Sequence, residues 1–301
     1  MKAKKESMPN IKSINRLTLK ERLKQYKRSP FSAVLLVLTL LAAAVTVFVL
    51  LFIIAYILIR GIPCLKLDMF TTLEFNTENL SMLPAIINTV TMTLLSLLVA
   101  LPIGVFSAVY LVEYAKRGSK LTSVIRITTE TLSGIPSIVY GLFGYLLFVI
   151  ALHWGYSLIA GVLTLAIMIL PTIMRTTEEA LKSVPDSFRE GSFGLGAGRL
   201  RTVTKIVLPS AMPGILAGVI LAIGRIVGET AALIYTSGTV AQVPDGLFGS
   251  GRTLAVHMYA LMSEGLYMDA ANATGVIILI VVVGINALSS FIAKKFTKGK
   301  G

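Results

Sequence analysis

The chain has 301 residues, of which 55% are hydrophobic and only 14% charged, and its mean hydropathy is +0.81. That is too little charge to cover a water-soluble protein of this length. The net charge of +13 does not point to nucleic acid, because the cations gather in the segments beside apolar runs, as they do where charge sets membrane topology.

Several apolar runs reach the roughly 20 residues that a helix needs to cross a hydrocarbon layer about 30 Å thick. None alternates as barrel strands do, so the fold class is an all-α polytopic membrane protein. Residues 1–30 are basic and polar and read as a cytoplasmic tail with some helix. The first transmembrane helix covers 31–59. Its apolar run exceeds the roughly 7–15 residues of a signal-peptide core, so it reads as an uncleaved anchor, stopped by Arg60-Gly61-Ile62-Pro63. The segment 60–83 sets Asp68, Glu74 and Glu78 against Arg60 and Lys66, which fits the outside. The second span covers 84–112, with Asn88 and Thr89 near its start and Pro102 in its interior. Segment 113–126 carries Lys116, Arg117, Lys120 and Arg126 and belongs inside.

The third span is expected over 127–152. His153-Trp154-Gly155-Tyr156 then makes a short outer turn whose aromatic rings suit the membrane interface. The fourth span covers 157–174, followed by a basic loop over 175–210. The fifth covers 211–234. Residues 235–269 are weakly charged and expected outside, with a short surface helix near 254–261. The sixth span covers 270–292, and 293–301 form a second cytoplasmic tail. Six transmembrane helices place both termini in the cytoplasm. Of 28 Lys and Arg, only Arg60, Lys66 and Arg252 (outside) and Arg225 (within a span) depart from that side. The first helix reads as appended to a five-helix core over 84–292.

The chain contains no G-x-x-x-x-G-K-[ST] phosphate loop; Gly249-Ser250-Gly251-Arg252-Thr253 lacks the lysine. Two distant histidines, His153 and His257, and the single Cys64 give no metal cluster, nucleophile–base pair or internal disulfide. Both histidines read as interfacial rather than catalytic. We therefore expect no enzyme, no metal and no cofactor of its own, and an energy source elsewhere.

Two stretches carry chemistry. In the basic loop, Val184-Pro185-Asp186-Ser187 reads as a helix start, with proline among the first helical positions. Residues 187–195 make about two turns. They present Phe188, Phe193 and Leu195 as apolar knobs, and Arg189 and Glu190 as charges. Gly194, Gly196 and Gly198 break that helix, and 199–208 form a second one, which Pro209 ends. Two short helices on a glycine hinge make a lever for a partner's groove. The alternative is a basic loop that only fixes topology. In the fifth span, Arg225 and Glu229 are four residues apart and are expected to share one helix face. A charge at that depth costs about 2.5–3.5 kcal/mol. Two readings stand, a buried ion pair between helices or an anion-handling pair on a pathway, for which the guanidinium fork suits phosphate. The Gly214/Gly218 and Gly224/Gly228 pairs read as close helix packing. Arg175 is by position an ordinary inside cation, Glu130 a salt-bridge partner for Arg126, and Asn88 and Thr89 hydrogen-bonding groups between helices.

The spacing Glu190-Gly191-Ser192, three residues, Gly196, nine residues, Ile206, one residue, Leu208-Pro209 resembles the E-A-A coupling loop of ABC-importer permeases. Gly191 and Ser192 replace its two alanines; both are small, although Gly191 costs a helix up to about 1 kcal/mol. Tyr110-Leu111-Val112-Glu113-Tyr114, Pro136-Ser137-Ile138-Val139-Tyr140-Gly141-Leu142-Phe143, Arg175-Thr176-Thr177-Glu178 and Arg225-Ile226-Val227-Gly228-Glu229-Thr230-Ala231 are similar to the A-type permease subunits of bacterial high-affinity phosphate importers, the Pst systems, over about 31–292. The resemblance implies a type I ABC importer permease (MetI-like) fold in the bacterial cell membrane. It implies a heterodimer with a second permease, two copies of a cytoplasmic ABC ATPase that bind the ATP and Mg, and an external phosphate-binding protein. It assigns ATPase coupling to Phe188, Glu190, Gly191, Phe193, Gly196, Ile206, Leu208 and Pro209, and phosphate passage to Arg225, Glu229 and Arg175. A permease for molybdate or sulfate, or an ion-coupled secondary carrier without an ATPase, remains the alternative.

Overall fold

The computed structural model describes residues 30–73, 80–116, 118–265 and 267–298. Most of the basic tail expected over 1–30, the acids Glu74 and Glu78, Arg117 and the last three residues of the expected 293–301 tail lie outside the described residues. The chain divides into two units at Tyr56. In the first, helix α1 (Pro30–Gly61, its last turn in the second unit) is apolar all round and exposes its side chains. For such a helix lipid is the natural solvent.

The second unit holds α2 (Leu83–Val109), α3 (Lys120–Ser133), α4 (Ser137–Gly144), α5 (Leu158–Lys182), α6 (Asp186–Gly194), α7 (Arg199–Thr202), α8 (Leu208–Val227), α9 (Ala231–Thr236), α10 (Leu254–Glu264) and α11 (Met268–Lys298). No strand occurs among the described residues. Among the described residues five helical stretches are long and apolar enough to cross a membrane, or six when the bent pair Lys120–Ser133 and Ser137–Ala151 is counted as one span. In α5, 67% of the apolar window is buried, against 22–28% in α2, α8 and α11, so α5 is the post on which α2 and α8 pack, while α11 packs on α8 and α10. Met92, Leu165, Met168, Ile169, Ile173, Ile226 and Leu233 fill that core.

Small residues bring α8 onto α5. A Cβ at Gly214 would lie 2.6 Å from the Ala180 side chain, and one at Gly218 would overlap the Thr176 hydroxyl. Gly224 and Gly228 meet no neighbouring helix, so only the first of the two predicted glycine pairs packs within this chain.

The third span departs from the single helix expected over 127–152. Helix begins at Lys120, stops at Ser133, and resumes at Ser137 with a bend of 104°. Pro136 supplies the reason. It has no N–H to donate, and its ring pushes Ile135 out of the helical region. The Tyr140 hydroxyl donates to the Leu132 carbonyl at 2.7 Å across the bend, covering one of the carbonyls that the break exposes. The basic loop also begins later than residue 175, because α5 runs to Lys182. Its polar end is supported by Arg175–Glu179 and Glu178–Lys182 pairs at four-residue spacing. At the C-terminus α11 continues to Lys298, through most of the expected tail.

The stretch expected to form a surface helix near 254–261 is instead buried. Leu254, Val256, His257 and Leu261 are shielded in α10. Thr89 accepts the Leu254 N–H at 2.8 Å, and Asn88 donates to the Gln242 and Arg252 carbonyls at 2.8 and 3.1 Å. These are the cross-element bonds anticipated for Asn88 and Thr89. His257 Nδ1 accepts from Arg252 Nε at 3.0 Å. Burial, and then the Arg252 charge, push His257 down to about 3 from 6.5. The unfolded chain therefore binds a proton below pH 6.5 that the folded chain refuses until about pH 3. Stability is expected to be full above pH 6.5 and to fall below it, by about 2 kcal/mol at pH 5. Thermal unfolding of the detergent-solubilised chain between pH 5 and 8 checks this; a slope that persists in His257→Gln would assign the loss to other groups.

Candidate functional site

Helix α6 starts after Pro185, which stands at the N-cap position rather than within the first turn, with Asp186 as its first-turn acid. It ends at Gly194. The Gly196 N–H donates to the Phe193 carbonyl at 2.9 Å and the Ala197 N–H to the Ser192 carbonyl at 3.1 Å. Gly196 has φ +80°, so this is a glycine-terminated Schellman ending. Of the three glycines expected to break the helix, only Gly196 adopts the left-handed conformation. Ser192 is buried and hydrogen-bonded to Thr202 at 2.8 Å, tying α6 to α7.

Phe188, Glu190, Phe193 and Leu195 stand exposed on this hairpin, Leu195 at 91% of its free surface. Gly191 is exposed, and a Cβ there meets nothing within 4 Å. Gly191→Ala is therefore expected to stabilise the chain by about 1 kcal/mol through helix propensity. A lowered thermal midpoint in the isolated chain would contradict that.

The second limb differs from expectation. Pro209 does not end a helix. From Arg199 to Val227 the chain is one continuous helical stretch of 29 residues, passing through a wide π-type turn over Val203–Val207. The Leu208 N–H bonds to the Val203 carbonyl there, and Pro209 falls in the first turn after it, where its missing N–H is tolerated. Leu208 packs against a cluster of Ala108, Val109, Leu181, Val184, Val203 and Val207, while Ile206 is half-buried. The I-x-L-P end of the motif thus seats the hairpin on the core, and the knobs of α6 are what it offers outward.

Arg189 also departs from the exposed charge that the sequence suggests. Its Nη2 lies 2.8 Å and its Nε 3.1 Å from Glu113 Oε1. Nη1 donates to the Val184 carbonyl at 2.8 Å and to Asp186 at 3.1 Å, and Nη2 to the Leu181 carbonyl at 3.0 Å. Glu113 sits in a second π-type turn, Tyr110–Tyr114, that closes α2. Arg199 places its guanidinium 5.6 Å from the Tyr114 ring centre in the same turn.

Arg225 and Glu229 do not share a helix face. α8 stops at Val227, and Glu229 lies in the break before α9. Its carboxylate is buried and accepts the Ala232 N–H at 3.0 Å, so it caps α9. Arg225 is half-buried in the last turn of α8, and no carboxylate pairs with it among the described residues.

Arg175 is exposed and donates to Glu179 at 3.2 Å. With Arg126, Glu130, Glu178 and Lys182 it lines a cavity of about 300 Å³. There Arg126 pairs with Glu178 at 2.8 Å, across to α5, rather than with Glu130 on its own helix. Thr176 faces Gly218 and Ala180 faces Gly214, so α5 and α8 run antiparallel. Along that pair Arg225 lies roughly 9 Å beyond the level of Arg175, at about 1.5 Å per residue.

The profile of the family described as "Binding-protein-dependent transport system inner membrane component" matches residues 100–300. The chain is 35% identical over 278 residues to the probable ABC transporter permease protein YqgI of Bacillus subtilis, covering 85% of this chain and 94% of that one. It is 41% identical over 204 residues to the phosphate transport system permease protein PstA of Pasteurella multocida, covering 67% and 72%. Its fold is similar to a chain in the crystal structure of a bacterial alginate ABC transporter in complex with alginate pentasaccharide-bound periplasmic protein. The TM-score is 0.64 and the identity 18%, over 91% of this chain and 98% of that one. With six potential spans built on the architecture of a type I importer permease, this multi-pass inner-membrane protein belongs to the binding-protein-dependent transport system inner membrane components, as a permease of the PstA type.

Proposed function

We propose that the chain forms half of the phosphate pathway in an ATP-driven importer and is driven through the Asp186–Val207 hairpin. The observation that carries this reading is a half-buried arginine, with no carboxylate partner among the described residues, at the far end of the same helical stretch that begins in the hairpin. An arginine at that depth is costly unless a partner or ligand meets it, and its fork suits a phosphate oxygen pair.

In this reading the exposed Phe188, Phe193 and Leu195 of α6, with Glu190 beside them, enter a groove on a cytoplasmic ABC ATPase. ATP and Mg are held by that partner, two copies of which serve this chain and a second, related permease. An external phosphate-binding protein delivers the substrate. Closure of the ATPase dimer draws the hairpins together. Because Arg199–Val227 is unbroken, the hairpin and the helix bearing Arg225 move as one body. Arg225 then binds the phosphate as it passes, Arg175 offers a second cation nearer the basic end, and Glu229 holds α9 in place beside them. Support comes from relatives described as phosphate transport permeases and from a cation that pairs with no carboxylate among the described residues. The reading is tested by oxyanion competition in the assembled transporter. Phosphate uptake should resist equal concentrations of sulfate and molybdate; preferential inhibition by either would move the assignment to that anion.

A further inference from the structure

The Arg189–Glu113 pair belongs neither to the outward docking surface nor to the phosphate route. Its side chains are only 14% and 8% exposed. The guanidinium reaches three separate places: Glu113 in the turn that ends α2, the Leu181 and Val184 carbonyls at the end of α5, and Asp186 at the start of α6. Apolar packing cannot hold α6 in the same way, since Ser192 is its one buried residue. The other limb of the hairpin is fastened to the same Tyr110–Tyr114 turn by Arg199 over Tyr114.

The helices differ in how the hairpin can move them. α8 is joined to the hairpin by continuous helical backbone. α2 has no such connection, and α5 is joined to α6 only through residues 183–185. A guanidinium–carboxylate pair made through two nitrogens is directional and resists rotation, whereas one hydrogen bond leaves a helix free to swivel. We propose that Arg189–Glu113 is the joint through which displacement of the docking hairpin reaches the inner ends of α2 and α5, a positioning pair that sets how much transport each ATPase cycle produces. This inference rests on the importer reading above.

The test uses the whole assembly, meaning this chain with its second permease, ATPase and binding protein, in proteoliposomes supplied with inorganic phosphate and ATP. The measured quantity is ATP hydrolysed per phosphate taken up. Glu113→Gln keeps the shape and removes the charge. The ATPase should still co-purify and hydrolysis should stay within about twofold, while uptake falls at least about tenfold, so the ratio rises by about that factor. Arg189→Lys should act in the same direction, and it carries the comparison if Glu113→Gln does not assemble. Glu113→Asp, which keeps the charge, should recover most of the uptake. The double variant Glu113→Gln/Arg189→Lys should be no worse than the more severe of its two single variants, as expected for two halves of one joint. An unchanged ratio, a parallel loss of hydrolysis and uptake, or single losses that multiply in the double variant would overturn the proposal. A wild-type assembly that retains no ATPase would instead overturn the importer reading, so the two failures are distinguishable.

Discussion

Arg225→Ala is expected to cut phosphate uptake by the assembled transporter about 100-fold or more, equivalent to about 2.7 kcal/mol, without loosening the ATPase. Two charge-assisted hydrogen bonds to phosphate oxygens account for a loss of that size. Arg225→Lys should fall between, keeping the charge but losing the two-nitrogen fork. Unlike most changes in a span, Arg225→Ala should not lower the stability of the isolated chain. The wild-type arginine has no carboxylate partner among the described residues, and removing it relieves a desolvation cost whose ceiling is the about 2.5–3.5 kcal/mol of a charge at a span's centre. A raised or unchanged thermal midpoint together with lost uptake is the signature. Uptake that survives unchanged would place the phosphate route elsewhere, and a collapse in stability would make Arg225 a structural residue.

Leu195→Asp is expected to release the ATPase, weakening its association about 10- to 100-fold. Leu195 is 91% exposed, so it contributes nothing to the chain's own core and its replacement should leave unfolding unchanged. In a partner's groove the same side chain would bury enough apolar surface to contribute about 1.5–3 kcal/mol, and a carboxylate brought there would add a desolvation cost. Titrating the purified ATPase onto the reconstituted permease pair gives the number. Association that is insensitive to both Leu195→Asp and Phe193→Asp would leave the hairpin as a basic loop that only sets topology.

What was legible from sequence follows from which physical signal each feature leaves. The spans were legible because lipid selects apolar runs, and hydropathy records them whatever the helix axis does. The same property hid the bend of 104° before Ser137, since Pro136 turns the axis without changing the hydropathy. The end of α5 was hidden for the opposite reason. Arg175 to Lys182 are mostly polar, which suggests loop, yet Ala180 and Leu181 bury one face in the core and four-residue ion pairs line the other. Gly196 announced the turn, because a left-handed position favours glycine. Glu229 was misplaced because four-residue spacing puts two residues on one face only while the helix lasts, and α8 stops at Val227. The Arg189–Glu113 contact joins residues 76 positions apart and leaves no periodic trace. Its only local sign was an arginine beside the Glu190 of the motif, within reach of Asp186.

The importer reading makes one measurement decisive. Inorganic phosphate uptake is followed into proteoliposomes holding the permease pair, with binding protein on one face and ATPase with ATP or ADP on the face of the Asp186–Val207 hairpin. The account predicts uptake with ATP, none with ADP, and none when the ATPase is withheld. Phosphate uptake driven by a proton or sodium gradient in liposomes without any ATPase would contradict it.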